Sequence, residues 1–203
     1  MPGVVNTEYG RLFVPEDLER AVRDLLETWL PSYFYEVERQ QEVAINRIAR
    51  PKSYLTSVEV DHFPGEELPA IIVVAPGTVG EVERTEAGYA AWYQVTIACA
   101  VQTPNELSTR ALAGFYAAAV RGAVLQHASI GGFVTGTAWL GEEYEGEPGR
   151  QRNRTRGAAM VHFRMRIDGI VDPQNGPKVP PAEVPADWPI VQEIEVDVTP
   201  PAE

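Results

Sequence analysis

The sequence predicts a mixed fold, α/β in content and α+β in arrangement, from three observations. Residues 104–128 form a helix with almost no polar face. Residues 69–75 and 89–102 read as a buried strand and a long alternating strand. Residues 133–168 read as one long hairpin laced with opposite charges. A chain of 203 residues can build one domain with a real core and still carry appendages. The expected division is a loose arm over residues 1–14, a domain over 15–171 and an extended arm over 172–203.

Pro15 suits the first position of a helix. Leu18, Val22, Leu25, Leu26 and Trp29 then follow helical spacing, with Glu16, Asp17, Glu19, Arg20 and Arg23 outside. Pro31 is expected to end or kink this helix. A second helical stretch is expected through Tyr33, Val37, Gln41, Ala44 and Ile48, closed by Pro51. Residues 53–61 can form a strand. The run PAIIVVA at 69–75 is unbroken and β-branched, as in a central strand buried on both faces, and Pro76-Gly77 should stop it. From 89 to 102, Tyr89, Ala91, Tyr93, Val95, Ile97, Cys99 and Val101 share one face.

Thr103, Pro104 and Glu106 make a strong helix start, with a cap, a first-turn proline and a capping box. Between Ala111 and Leu125 the only charge is Arg121. Leu107, Ala111, Phe115, Ala118, Gly122 and Leu125 line one side. Leu112, Tyr116, Ala119, Val120, Ala123 and Val124 line the rest. A helix with a single core face carries an apolar stripe over about half its circumference. This one is expected to be covered twice, by the chain's own sheet and by a second copy. Small Ala118, Ala119 and Gly122, beside Phe115, would let that copy approach. Arg110 and Arg121 fall near one face and can pair with acids of a neighbour or of the chain itself. The apolar run is shorter than the roughly 18 residues of a membrane span.

If Pro148-Gly149 is the hairpin tip, Glu147 faces Arg150, Glu145 faces Arg152 and Glu143 faces Arg154. Each such pair contributes about 0.2–1 kcal/mol, and three together would pin the register. The same arginines, continued by Arg156, Arg164 and Arg166, could instead form a basic strip. The salt-bridged hairpin is the simpler reading. Beyond Asp172 prolines punctuate an acidic tail that should be extended. Within it Ile190, Ile194, Val196 and Val198 alternate with Glu193, Glu195 and Asp197, a strand pattern with no local partner, expected to add to a sheet edge outside its own domain.

Chemistry is scarce. His62, His127 and His162 have no metal-ligand spacing, and no phosphate loop or nucleophile elbow is present. Neither catalysis nor a cofactor is expected. Cys99 is alone and sits in a strand pattern, as an inert buried thiol would. A net charge of −12 argues against general nucleic-acid affinity. The N-terminus shows no signal peptide, so synthesis inside the cell is expected.

The order of elements is carried by WLPSYFYEVERQ, LPAIIVVAPG, YAAWYQVTIACAVQTPNELSTRALAGFYAAAVRGAVLQH and the GTAWLGEEYEG hairpin. It resembles the tail terminator proteins of long-tailed, siphovirus-type bacteriophages over residues 15–170. That resemblance implies an α/β domain with a largely antiparallel sheet flanked by helices. It implies a virion protein, made in the host cytoplasm, forming a hexameric ring that caps the tail tube. Its partners would be further copies of itself, the major tail tube protein and a head-side connector or stopper. Genomic DNA would pass through the lumen without specific binding, and no membrane or cofactor is involved. The acidic, Pro-rich tail departs from the pattern, which keeps another connector or stopper ring of the neck as the alternative.

Overall fold

The described residues of the computed structural model are 13–60, 68–86, 88–103, 106–151 and 154–171. The first element, α1, spans Pro15–Gln40. Its start is capped locally: the Val14 N–H donates to Asp17 Oδ2 at 3.2 Å, and the Asp17 N–H to the Val14 carbonyl at 2.9 Å. Leu18, Val22, Leu26, Leu30 and Phe34 form its fully buried stripe. Pro31 neither ends the helix nor separates a second one. It lies on the exposed side with Glu27, so the carbonyl it cannot bond is open to water. Turns after Gln40 then bring Ile48 back into the core.

The remaining elements are β1 (Ser53–Thr56), β2 (Ala70–Thr85), β3 (Gly88–Thr103), α2 (Glu106–Gln126), β4 (Gly136–Gln151) and β5 (Arg154–Ile170). The five strands make one sheet in the order β1-β2-β3-β5-β4, antiparallel except for the short β1–β2 pairing. This is an α+β fold. The parity of the apolar residues sets the register: Val73 faces Ile97, which faces Val161, and Ile71 faces Cys99, which faces Ala159. All of these are fully buried. Slipping any strand by one residue would turn its apolar set to the other face.

Three expectations about the strands change. The expected strand at 53–61 shortens to β1. Pro76-Gly77 does not stop β2, which absorbs it as an irregularity between Val74 and Gly77 and continues to Thr85. The hairpin tip is not Pro148-Gly149. Both lie within β4, and the last paired positions are Gln151 and Arg154. Glu147 therefore faces Arg156, Glu145 faces Ala158 and Glu143 faces Met160, so none of the three expected pairs to Arg150, Arg152 and Arg154 forms across the ladder. The physical reason is twofold. The buried residues of β5 dictate register from the core outward. In addition, β4 is an edge strand, where a proline is tolerated. Residues 152 and 153 lie outside the described residues.

Both helices pack on one face of the sheet, α1 mainly over β1 and β2, and α2 over β3, β5 and β4. The buried cluster is built from both helices and from the odd-numbered residues of β2, β3 and β5. No helix among the described residues is long and apolar enough to cross a membrane.

Candidate assembly surfaces

The helix α2 was expected to need a second copy to cover it; much of that cover comes from the chain itself. Ala119 is fully buried, as are Tyr116, Ala117, Val120, Ala123 and Val124. Tyr116 packs edge-on against Phe34 of α1, ring centroids 4.6 Å apart, and its hydroxyl donates to the Ala49 carbonyl. Gly122 meets α1 as well: a Cβ built there would lie 3.0 Å from Tyr33 Cδ1. The close approach that Ala119 and Gly122 permit is thus used within the chain. Phe115 and Ala118 are half-buried, with Phe115 packed against the core edge.

What α2 leaves outside is narrower: Ala111, Ala118 and Leu125, at helical spacing, with Arg121 between them. Arg121 pairs with Glu142 of the chain's own β4, and its guanidinium lies 5.0 Å from the Trp139 ring centroid. It is therefore a joint between α2 and the edge strand. Glu142 also accepts the Tyr144 hydroxyl at 2.8 Å. Burial, with that bond added, pushes the Tyr144 hydroxyl up to about 12, so it remains a donor at any physiological pH. Around this joint large apolar side chains stay open: Leu125 is 40% exposed, Tyr144 44%, Trp139 46% and Leu140 51%. Arg110, near the same helical face as Arg121 and three turns earlier, is exposed.

The opposite face of the sheet carries the even-numbered residues. There Arg164 stacks on Trp92 at 5.2 Å. Arg166 bonds Asp168 and Glu83, both at 2.8 Å. His162 Nδ1 sits 3.0 Å from the Thr96 hydroxyl, while its buried Nε2 has no hydrogen-bond partner and lies 4.0 Å from Glu143. The basic strip is accordingly split: Arg166 is paired, Arg164 is stacked, and Arg156 faces Glu147.

Two buried carboxylates went unread in the sequence. Glu19 Oε1 accepts the Ala75 N–H at 2.7 Å, and its Oε2 accepts the Ser57 N–H at 3.0 Å and hydroxyl at 2.7 Å. It ties α1 to the sheet. Glu38 accepts two bonds from Arg50 and one from the Ile48 N–H at 2.9 Å. The Arg50 bonds, strongest among its influences, hold its carboxyl down to about 2. Both look like ordinary solvated helix charges in the sequence, and only the fold turns them inward. Cys99 is a free, fully buried thiol, pushed up by burial and so poorly nucleophilic. Among the described residues no three His, Cys, Asp or Glu side chains are placed to share a metal. Ile190, Ile194, Val196 and Val198 lie outside the described residues, as do His62 and Arg152.

No family model and no curated protein matches the chain. Among solved structures it is similar to a chain from the virion of a native gene transfer agent particle, at 17% identity, covering 71% of this chain and 98% of that one, with a TM-score of 0.36. A likeness of that degree identifies neither a family nor a role.

Proposed function

We propose that the chain is a structural virion protein that assembles into a ring, terminating the tail tube of a long-tailed phage and joining it to the head-side connector. The observation that carries the assembly reading is the exposure of Leu125, Trp139, Leu140 and Tyr144 on α2 and the neighbouring edge strand β4, with the small residues Ala111 and Ala118 on the outer side of α2. Contiguous exposed apolar surface marks interaction sites. A second copy is the partner that fits an assembly protein. The specific role rests on the sequence resemblance over residues 15–170. In this reading the major tail tube protein and a connector or stopper are the neighbours, six copies close the ring, and the protein catalyses nothing. The subunit contact moves from Ala119 and Gly122 to the outer residues of α2 with the β4 edge.

The experiment is to incubate purified chain with phage tail tubes and image the tube ends, while measuring self-association by light scattering. Rings at one tube end support the proposal. Leu140→Glu should abolish them without moving the urea midpoint, since an exposed substitution ordinarily shifts stability by less than about 0.5 kcal/mol. Rings that bind only a head-side assembly would favour a connector or stopper. A Leu140→Glu chain that caps tubes normally would overturn the assigned contact.

A further inference from the structure

The sheet has two faces, and the helices cover one. On the other, Ile72, Val74, Ala98 and Met160 form a half-buried apolar strip across β2, β3 and β5, because Ile72 faces Ala98 and Ala98 faces Met160. Among the described residues no helix or strand lies over it. An apolar sheet face is stable when another layer covers it. Beside the strip Arg164 is exposed, stacked on Trp92, with no acid paired to it among the described residues.

We infer that the cover is the chain's own C-terminal segment, residues 190–198, lying extended on this face of the same molecule. Two observations converge. Ile190, Ile194, Val196 and Val198 fall on one side of an extended segment and Glu193, Glu195 and Asp197 on the other, which is the pattern of a strand with one side against apolar surface. Reach permits it. From Ile170 back along β5 to Met160 is roughly 33 Å at ~3.3 Å per residue. The Pro-rich residues 172–189 span up to roughly 55 Å at ~3.1 Å per residue. A single extended segment on a sheet face keeps its backbone edges in water, so no further strand is needed to satisfy them. This inference stands apart from the assembly reading, since it concerns one copy alone.

Oxidation of Met160 by hydrogen peroxide in the full chain tests it. Met160 lies under the inferred cover, while fully buried Met165 serves as an internal reference. The full-length double variant Ile194→Asp/Val196→Asp should oxidise Met160 severalfold faster than the unmodified chain, with Met165 unchanged. A second full-length variant, Met160→Cys/Val196→Cys, should form a disulfide within one chain when isotopically labelled and unlabelled copies are mixed. Equal Met160 oxidation rates overturn the inference. So does a disulfide found chiefly between labelled and unlabelled copies, which would assign the segment to a neighbour.

Discussion

Glu38 and Gly122 show how single residues change meaning between sequence and fold. Glu38 has no side-chain exposure and is held as a carboxylate first by Arg50, which reaches it at 2.9 Å, and then by backbone N–H groups. Removing one partner of a buried pair leaves an uncompensated charge. Arg50→Met should therefore cost about 2 kcal/mol, below the 3–5 kcal/mol of a fully buried pair because Arg50 is partly exposed. The sign with pH follows. A carboxyl held down to about 2 contributes stability above the ordinary carboxylate range, and that stability is lost as pH falls from about 4.5 toward 2. Urea titrations at pH 7 and pH 3 should show a large Arg50→Met deficit at the first and a clearly reduced one at the second. An equal deficit at both would mean that Arg50 acts by packing on Phe34, whose ring centroid is 5.1 Å away. Gly122 read as a place for a neighbour to approach, and the neighbour proves to be Tyr33. Gly122→Glu should consequently destabilise the isolated chain by about 2 kcal/mol, within the 1–3 kcal/mol of overpacked sites. It also threatens the bond from the Tyr33 hydroxyl to Gln126, 2.8 Å long. A glutamate variant as stable as the parent would restore Gly122 as an external contact. One sequence cannot distinguish these cases, because small residues on an apolar helix look the same whichever helix approaches them.

At the scale of elements, helix and strand identities were legible because apolar spacing is physical: period two in β3 and β5, and period 3.6 in α1. Boundaries at prolines were not. Pro31 and Pro76 read as stops, but a proline whose missing N–H leaves only a solvated carbonyl, or sits at a strand irregularity, costs little. The hairpin forms, but its tip and register differ from the expectation for a related reason. Charge matching around Pro148-Gly149 was a local argument worth a few tenths of a kcal/mol per pair. Burial of Ala159, Val161, Phe163 and Met165 is worth far more and sets a different register. That register makes a prediction. Because Glu147 faces Arg156, charge reversal of both should recover part of what either reversal loses, a coupling of about 0.5 kcal/mol in a double-mutant cycle. Swapping Glu145 with Arg152 should show no coupling. Coupling at 145/152 with none at 147/156 would restore the register read from the sequence.

For the whole molecule, the sequence conveyed the fold class and the need for cover on α2, but not which layers supply it, since that depends on how α1 docks. The open patch and the open sheet face emerge only from the assembled layers. Electrostatics then decides how copies meet. Each carries −12, so copies repel at long range, while the patch that draws them together is apolar apart from the internally paired Arg121 and Glu142. Screening weakens the repulsion, with a Debye length falling from ~10 Å at 0.1 M to ~3 Å at 1 M salt, and leaves apolar contact largely intact. Self-association should therefore strengthen as salt rises from 0.05 to 0.5 M, by about tenfold or less in affinity if the mutual repulsion is of order 1 kcal/mol. DNA binding through arginines would do the reverse, because counterion release makes phosphate affinity fall steeply with salt. Sedimentation velocity across that salt range, with and without a short DNA duplex, separates the two. Association that grows with salt, with no duplex co-sedimenting at low salt, fits a ring whose lumen lets a genome pass. Association that collapses with salt would place ion pairs, with Arg110 and Arg156 foremost, at the centre of the contact instead of Leu125, Trp139 and Leu140.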